Sequence, residues 1–377
     1  MRIALVINTS WNIYNFRLRL IEALLAQGHE VVAVAPYDNY SQKLELAGCQ
    51  FVPVPISQST NPVTDLKLLW RLYRTYRRLK PDVLLHYTIK PNIYGTIAAK
   101  LAGIPAINNV SGLGTVFIVK DFVAAVAQAL YRFAFRFPGK VFFQNADDQK
   151  LFLEKELVRQ EITEVLPGSG IDLEAFVPAA TYQRNQPFVF LMVARLMFEK
   201  GIAEYVEAAR LVKARFPEVR CQVLGAIADS NRSGISPELL AEWRQAGDIE
   251  YLGFTDDVAP IVAQADCVVL PSYREGTPRT LLEAAAMAKP LIATDVPGCR
   301  EVVKDNENGL LCQVRSATDL AAKMLQLLQL SNEQLQQMGQ ASRKLAETKF
   351  NDRFVIDRYL AAIAEVTKTA ANRNPNV

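Results

Sequence analysis

Two glutamates stand eight positions apart in the run Glu275-Gly276-Thr277-Pro278-Arg279-Thr280-Leu281-Leu282-Glu283. Paired carboxylates can act as acid and base, or they can accept hydrogen bonds from sugar hydroxyls. Their setting favours the second use. Residues 265–272 read as a strand running into a turn, and residues 279–288 have helical composition. Thr277 fits a helix N-cap and Pro278 the first helical position. Pro278 lacks an N–H, so the free donors fall on Arg279 and Thr280. A strand end feeding such a helix start makes an anion site from backbone N–H groups and the helix dipole, and a diphosphate suits it. Glu275, in the loop, is placed for sugar hydroxyls. Glu283, inside the helix, is placed for ribose hydroxyls or for a pair with Arg279 four positions earlier.

A second strand–loop–helix brings two cations. Arg195 and Lys200 bracket the loop after the strand at 188–194, ahead of an amphipathic stretch at 201–216. Two cations at a strand end can neutralise a departing diphosphate, or can be ordinary surface charges. Asp147-Asp148 and Asp256-Asp257 read as helix N-caps. No D-x-D occurs, and two histidines with five scattered cysteines make a zinc site improbable. No metal or other cofactor is expected.

These residues need a scaffold that delivers loops to one edge. Short β-branched runs at 3–7, 31–35, 83–86, 106–109 and 141–144 alternate with helical patterns at 16–27, 64–79 and 93–102. The runs lack apolar–polar alternation, as expected for parallel strands buried on both faces. A second series follows at 188–194, 221–224, 250–252, 267–270 and 291–293. The polar stretch 178–187 is the linker candidate. The expected architecture is α/β: two Rossmann-like doubly wound parallel-sheet domains facing across a cleft. The domains are 1–182 for the acceptor and 183–349 for the donor. A tail helix within 350–377 is expected to pack back on the first.

Several motifs in order carry a resemblance. Arg195 with Lys200, the Glu275/Glu283 pair, and Thr294-Asp295-Val296-Pro297-Gly298-Cys299-Arg300-Glu301 followed by Asn308-Gly309 resemble the retaining GT-B glycosyltransferases of family 4. The resemblance spans nearly the whole chain. It implies metal-independent transfer from a nucleotide-diphosphate sugar with retention at the anomeric carbon. By that resemblance Arg195 and Lys200 hold the diphosphate and Glu275 contacts the sugar. Gly276, Thr277, Pro278, Arg279 and Thr280 meet sugar and phosphates, Glu283 binds ribose, and Phe254 and Val258 line the nucleobase pocket. Arg195, Lys200 and Glu275 are the catalytic candidates.

The first half resembles the branch that builds capsules, O-antigens and lipid-linked oligosaccharides. That implies a UDP-sugar donor, an N-acetylhexosamine or related hexose, and a polyprenyl-diphosphate-linked saccharide acceptor. Acceptor-side candidates are Asn15, Arg17, His86, Lys90, Asn92, Ser111 and Gly112, on loops at 8–17, 86–92 and 108–114. His86 and Lys90 are the candidates for acceptor phosphate or hydroxyls; a strand-end His86 satisfied by backbone is the alternative. Gly112-x-Gly114 alone is a weak phosphate-loop signal. The histidine that many family members carry after the strand ending Asn108-Asn109 is missing, so no catalytic histidine transfers there.

Composition narrows the rest. With 377 residues, two domains are expected at roughly 100–200 residues each. A net charge of +3 argues against a nucleic-acid partner. Unpaired cysteines and the lack of a signal or spanning segment point to the cytoplasm. Peripheral contact with the inner face of an anionic membrane is open for two segments: the basic helix with Lys67, Arg71, Arg74 and Arg78 beside Trp70, and the apolar stretch 122–137. The loop Asn8-Thr9-Ser10-Trp11-Asn12 lacks G-x-G-x-x-G, which disfavours a dehydrogenase. A GT-B sugar-nucleotide epimerase and a non-catalytic scaffold remain as alternatives.

Overall fold

The structure is a computed structural model. It describes residues 1–57, 61–113, 122–180, 183–227 and 233–373. Gly114, the second glycine of the weak phosphate-loop signal, lies outside the described residues. The chain divides into two compact units, residues 1–169 with 352–377, and residues 170–351. The expected boundary at 182/183 falls beside residues 181 and 182, which also lie outside the described residues.

The first unit runs β1 (Arg2–Val6), α1 (Ser10–Ala26), β2 (Glu30–Ala35), α2 (Ser41–Leu46), β3 (Gln50–Pro53), α3 (Pro62–Leu79) and β4 (Val83–Tyr87). It continues with a π-helical turn at Pro91–Gly95, then α4 (Thr96–Ala102), β5 (Ala106–Val110), α5 (Phe122–Ala134), β6 (Lys140–Phe143), α6 (Ala146–Glu154) and β7 (Thr163–Val165). Its sheet order is β3-β2-β1-β4-β5-β6-β7, and every pairing is parallel. Ile3, Leu5 and Ile7 face one core and Ala4 and Val6 the other, so the run from Ile3 to Ile7 is apolar at every position. That two-sided burial is the reason the strand shows no alternation.

The second unit runs β8 (Val189–Val193), α7 (Ile202–Lys213), β9 (Arg220–Leu224), α8 (Pro237–Gln245), β10 (Glu250–Tyr251), α9 (Ala259–Ala263) and β11 (Cys267–Leu270). Then follow α10 (Arg279–Ala286), β12 (Leu291–Thr294), α11 (Cys299–Val302), β13 (Gly309–Cys312), α12 (Ala317–Leu328) and α13 (Asn332–Lys349). Its six strands are again parallel, in the order β10-β9-β8-β11-β12-β13. Tyr205, Val206, Ala209 and Val212 of α7 pack on one face of this sheet, and Leu281, Leu282 and Ala285 of α10 on the other. The last helix, α14 (Asp352–Arg373), belongs to the first unit, where Val355, Tyr359, Ala362 and Ile363 join the core beneath β1 and β4.

Three strands escape the sequence pattern. β3, β7 and β13 are edge strands of three or four residues, and β3 and β7 carry exposed or half-exposed polar side chains. The segment 8–17, expected as a loop, is mostly helix. Thr9 caps α1 by accepting the Asn12 N–H at 3.1 Å, so Asn15 and Arg17 lie inside a helix. The cap of α6 is Asn145, which accepts the Asp148 N–H at 2.8 Å. Asp147 and Asp148 therefore sit in the first turn rather than at the cap, where their charge complements the helix dipole.

One buried carboxylate anchors the start of the second sheet. Asp266, just before β11, accepts the backbone N–H groups of Asn185 and Val189 at 2.9 and 2.8 Å and the Asn185 amide at 2.9 Å. Asp266→Ala removes the acceptor of the Asn185 and Val189 backbone N–H groups, the second of them buried. Each such loss costs about 1–3 kcal/mol. The urea unfolding midpoint of the second unit's transition should fall accordingly, and a wild-type midpoint would refute the anchoring role.

Candidate functional site

Parallel strands end at one edge, so the loops after β8, β11 and β12 meet there. Three contacts lock them. The Thr280 hydroxyl donates to the Val193 carbonyl at 3.0 Å, tying α10 to the end of β8. The Thr294 hydroxyl donates to the Ser272 carbonyl, tying β12 to the loop after β11. The Tyr273 N–H donates to the Glu199 carbonyl at 2.9 Å. Two glycines permit the approach. A Cβ on Gly201 would stand 2.1 Å from the Pro271 carbonyl oxygen, and one on Gly298 would stand 2.1 Å from that of Gly276. Both have positive φ, at 76° and 81°, where side chains are disfavoured.

This frame brings Lys200 and Glu275 together. Lys200 Nζ lies 2.5 Å from Glu275 Oε1, with both side chains largely withdrawn from solvent. Arg279 Nε lies 2.9 Å from Glu283 Oε1 along one face of α10. Glu283 is 9% exposed. Burial pushes its carboxyl above the usual range, and the Arg279 charge and hydrogen bond pull it back. The helix pair expected as one alternative is thus formed, but in a buried place rather than a solvated one. Pro278 is itself the cap of α10, with extended ψ of 118°, so the helix starts at Arg279 and Thr277 lies one residue outside it. The N–H groups of Arg279 and Thr280 then lack intrahelical acceptors. Arg195 is exposed and, among the described residues, carries no ion pair.

Phe254 and Val258 sit farther along the same edge, between β10 and α9. Phe254 is exposed and Val258 half-buried. The Gly225 N–H donates to the Gly253 carbonyl at 2.8 Å, which joins that loop to the end of β9. Among the described residues no group of three or more His, Cys, Asp or Glu is placed to hold a metal.

Four residues of this edge escaped sequence reasoning. The Tyr273 hydroxyl donates to Glu204 Oε1 at 2.7 Å, and Arg315 lies over the Tyr273 ring at 4.6 Å. Glu199 precedes Lys200. The only available signal was Tyr273 standing two positions before Glu275; the rest is tertiary contact.

In the first unit Arg17, His86 and Asn92 gather around the ends of β4 and β5, while Asn15 and Lys90 are engaged by other residues. His86 is fully buried. Its Nε2 meets the Tyr76 hydroxyl at 3.0 Å, and its Nδ1 meets Asn108 Oδ1 at 3.1 Å and the Thr96 hydroxyl at 3.3 Å. Neither ligand contact nor backbone satisfaction, the two expectations for His86, describes it; side chains of α3, α4 and β5 enclose it. Asn92 is also buried and donates to the Asn109 carbonyl at 2.8 Å. Lys90 pairs with Asp65 at 2.5 Å. Asn15 donates to the Trp11 carbonyl at 2.9 Å. Ser111 and Gly112 are half-exposed just past β5, and Gly112 has φ of 142°. Arg17 is buried over the Tyr87 ring.

Comparison with known proteins follows the same two-part division. Residues 178–345 match the family model for glycosyl transferases group 1, and residues 2–145 match that for glycosyl transferase 4-like proteins. The chain is 30% identical to the N,N'-diacetylbacillosaminyl-diphospho-undecaprenol alpha-1,3-N-acetylgalactosaminyltransferase of Campylobacter jejuni, over 98% of this chain and 100% of that one. It is 27% identical to the UDP-Gal:alpha-D-GlcNAc-diphosphoundecaprenol alpha-1,3-galactosyltransferase of Escherichia coli, over 70% of each. The structure of Anabaena HepE in complex with UDP-glucose superposes with a TM-score of 0.78 at 20% identity, covering 98% of this chain and 100% of that one. This likeness identifies the fold.

The buried His86 makes stability depend on pH. Burial pushes its pKa from 6.5 down to about 4, with Asn108 opposing. Between those values the unfolded chain holds more protons than the folded one, so stability is full above 6.5 and falls as pH drops. Roughly 3 kcal/mol should be gone near pH 4. His86→Gln should flatten that part of a plot of urea midpoint against pH; an unchanged slope would assign the acid sensitivity elsewhere.

Proposed function

The chain belongs to the group 1 glycosyl transferases, the family 4 enzymes of the GT-B fold, and on that premise we propose its substrates and stereochemistry. It moves an N-acetylhexosamine or related hexose from a UDP-sugar to a saccharide carried on undecaprenyl diphosphate, in bacterial surface polysaccharide assembly. Transfer retains the anomeric configuration, needs no metal ion, and takes place at the inner face of the cytoplasmic membrane. The observation that carries this reading is the Lys200–Glu275 pair beside the start of α10. Two relatives support the acceptor, since both names carry a diphospho-undecaprenol, and one of them names a UDP-sugar.

The geometry suits the chemistry. A nucleotide sugar reacts through a cation-like sugar and a departing diphosphate. Lys200 has three N–H donors and commits one to Glu275, which leaves two for a phosphate oxygen. Arg195, exposed on the same loop, adds a second cation. The N–H groups of Arg279 and Thr280 add donors and the helix dipole. Glu275, held by Lys200, turns its other oxygen to a sugar hydroxyl. The leaving phosphate takes the acceptor's proton on the face it departs from, so no carboxylate serves as a glycosidase-type nucleophile.

A surface on α3 fits the membrane side of this reading. Val63, Leu66 and Trp70 are 60%, 65% and 59% exposed at helical spacing. Lys67, Arg71, Arg74, Arg77 and Arg78 are exposed on the same helix. Among the described residues no helix is long and apolar enough to cross a membrane. A stripe of apolar side chains flanked by cations suits the surface of an anionic bilayer. α5 buries Ala124, Tyr131 and Ala134, which marks it as a packed helix.

Lys200→Ala and Glu275→Ala should each lower kcat by about 10²–10³ while the fold persists. Wild-type turnover in either would remove the donor-site assignment. In the same assay EDTA should leave the wild-type rate unchanged, and a loss restored by magnesium would refute metal independence. Arg71→Glu with Arg74→Glu should weaken partitioning onto phosphatidylglycerol vesicles, read by sedimentation, by at least about 30-fold, taking roughly 1 kcal/mol per basic residue near the surface. Equal sedimentation would make α3 an ordinary solvated face.

A further inference from the structure

Arg17 is 4% exposed. Among the described residues its guanidinium has no ion pair, and its Nε is buried without a hydrogen-bond partner. It lies over the Tyr87 ring, 4.4 Å from the centroid. A ring face offsets only part of the cost of taking a cation from water. Buried charges are ordinarily matched by an opposite charge. Arg17 is thus prepared for one that the chain does not supply.

Its surroundings lie at the carboxyl edge of the first sheet. Tyr87 ends β4, and Asn109 stands opposite it on β5. Asn109 donates Nδ2 to the Tyr359 hydroxyl at 2.8 Å, while its Oδ1 is buried without a partner. Tyr359 comes from α14, and its ring lies 6.1 Å from that of Tyr87. Thr88, next in the chain, has a φ of 63°, and its hydroxyl oxygen is buried without a partner. Unsatisfied buried polar atoms are uncommon and call for an explanation. Ligands of doubly wound sheets bind outside this same edge.

We infer that Arg17 is the cation that holds the diphosphate of the lipid-linked acceptor, with Asn109 and Thr88 taking the neighbouring hydroxyls. This rests on the acceptor class proposed above. A guanidinium presents paired N–H donors that match two phosphate oxygens at once, and a diphosphate supplies both the charge and the acceptors that Arg17 lacks. It is a binding role; the diphosphate of the acceptor stays intact during transfer.

Two measurements on the full-length enzyme decide it. The first is thermal unfolding with UDP saturating, so that the donor loops are occupied, and with inorganic pyrophosphate titrated in. Wild-type protein should gain stability, and Arg17→Met should gain none. The second is steady-state transfer to a short-chain prenyl-diphosphate-linked sugar. Arg17→Met should raise the acceptor KM by at least about 10-fold, with the donor KM within about 2-fold. Arg17→Lys keeps the charge, loses the fork and should fall between, and it carries the test if Arg17→Met does not fold. Without ligand, Arg17→Met should unfold no lower than wild type, because an uncompensated charge has gone. A lower melting temperature with an unchanged acceptor KM would make Arg17 a packing residue and overturn the inference, as would an undiminished pyrophosphate shift. If UDP binds but no prenyl-diphosphate acceptor is used, the acceptor class itself falls; the pyrophosphate shift still settles Arg17.

Discussion

Gly298 sits so close to the carbonyls of Glu275 and Gly276 that no side chain fits between them. The donor-side arrangement depends on that approach. Parallel strands must deliver their loops to one edge, and there the backbones crowd. Where the loop after β12 presses on the loop after β11, Glu275 loses its freedom to swing out. Gly201 does the same between the Lys200 loop and Pro271. The lysine and the glutamate, far apart in the chain, thus come within 2.5 Å as a consequence of two missing methyl groups.

That proximity has an electrostatic meaning. A lone cation at this edge would attract any anion, and a lone carboxylate would repel a diphosphate. Paired, they present a neutral surface with donors left over. The second pair, Arg279 with Glu283, works under heavier burial, where the carboxyl is pushed up and the guanidinium holds it down. The first unit handles charge differently. There Arg17 faces an aromatic ring instead of a carboxylate, and His86 is kept neutral inside a ring of side chains. In the second unit the half-buried guanidinium of Arg279 has its carboxylate, and in the first the buried guanidinium of Arg17 has none among the described residues.

Much of the fold was legible because its signals are local. β1, β2, β4, β8 and β11 are apolar runs buried on both faces, and such runs announce themselves. The edge strands β3 and β7 did not, since few buried side chains mark them, and β13 is a four-residue run opening on Gly309, too short to stand out although it is mostly buried. The start of α1 was missed because Trp11, Asn12 and Asn15 do not look helical, although Thr9 is an ordinary cap. The loops carrying Lys200 and Glu275 were legible as spacing. Their pairing was not, nor was the Tyr273 bridge to Glu204, because these are contacts between segments about 70 positions apart. His86 shows the opposite failure. A histidine at a strand end reads as functional from its type alone, and only Tyr76, Thr96 and Asn108 closing around it reveal a core residue.

α14 has a consequence for how the molecule comes into being. A chain leaving the ribosome presents β1 through β7 first, but the core beneath β1 and β4 lacks Tyr359, Ala362 and Ile363 until the final helix emerges. The second unit, residues 170–351, contains all of its own core and can close before that. The half made first is therefore completed last. Until then the nascent protein exposes an apolar face on its oldest part, and Asn109 waits for its tyrosine. A message truncated just before residue 352 would yield a finished second unit attached to a first unit whose core stays open, which is the kind of species that quality-control proteases and holdase chaperones recognise.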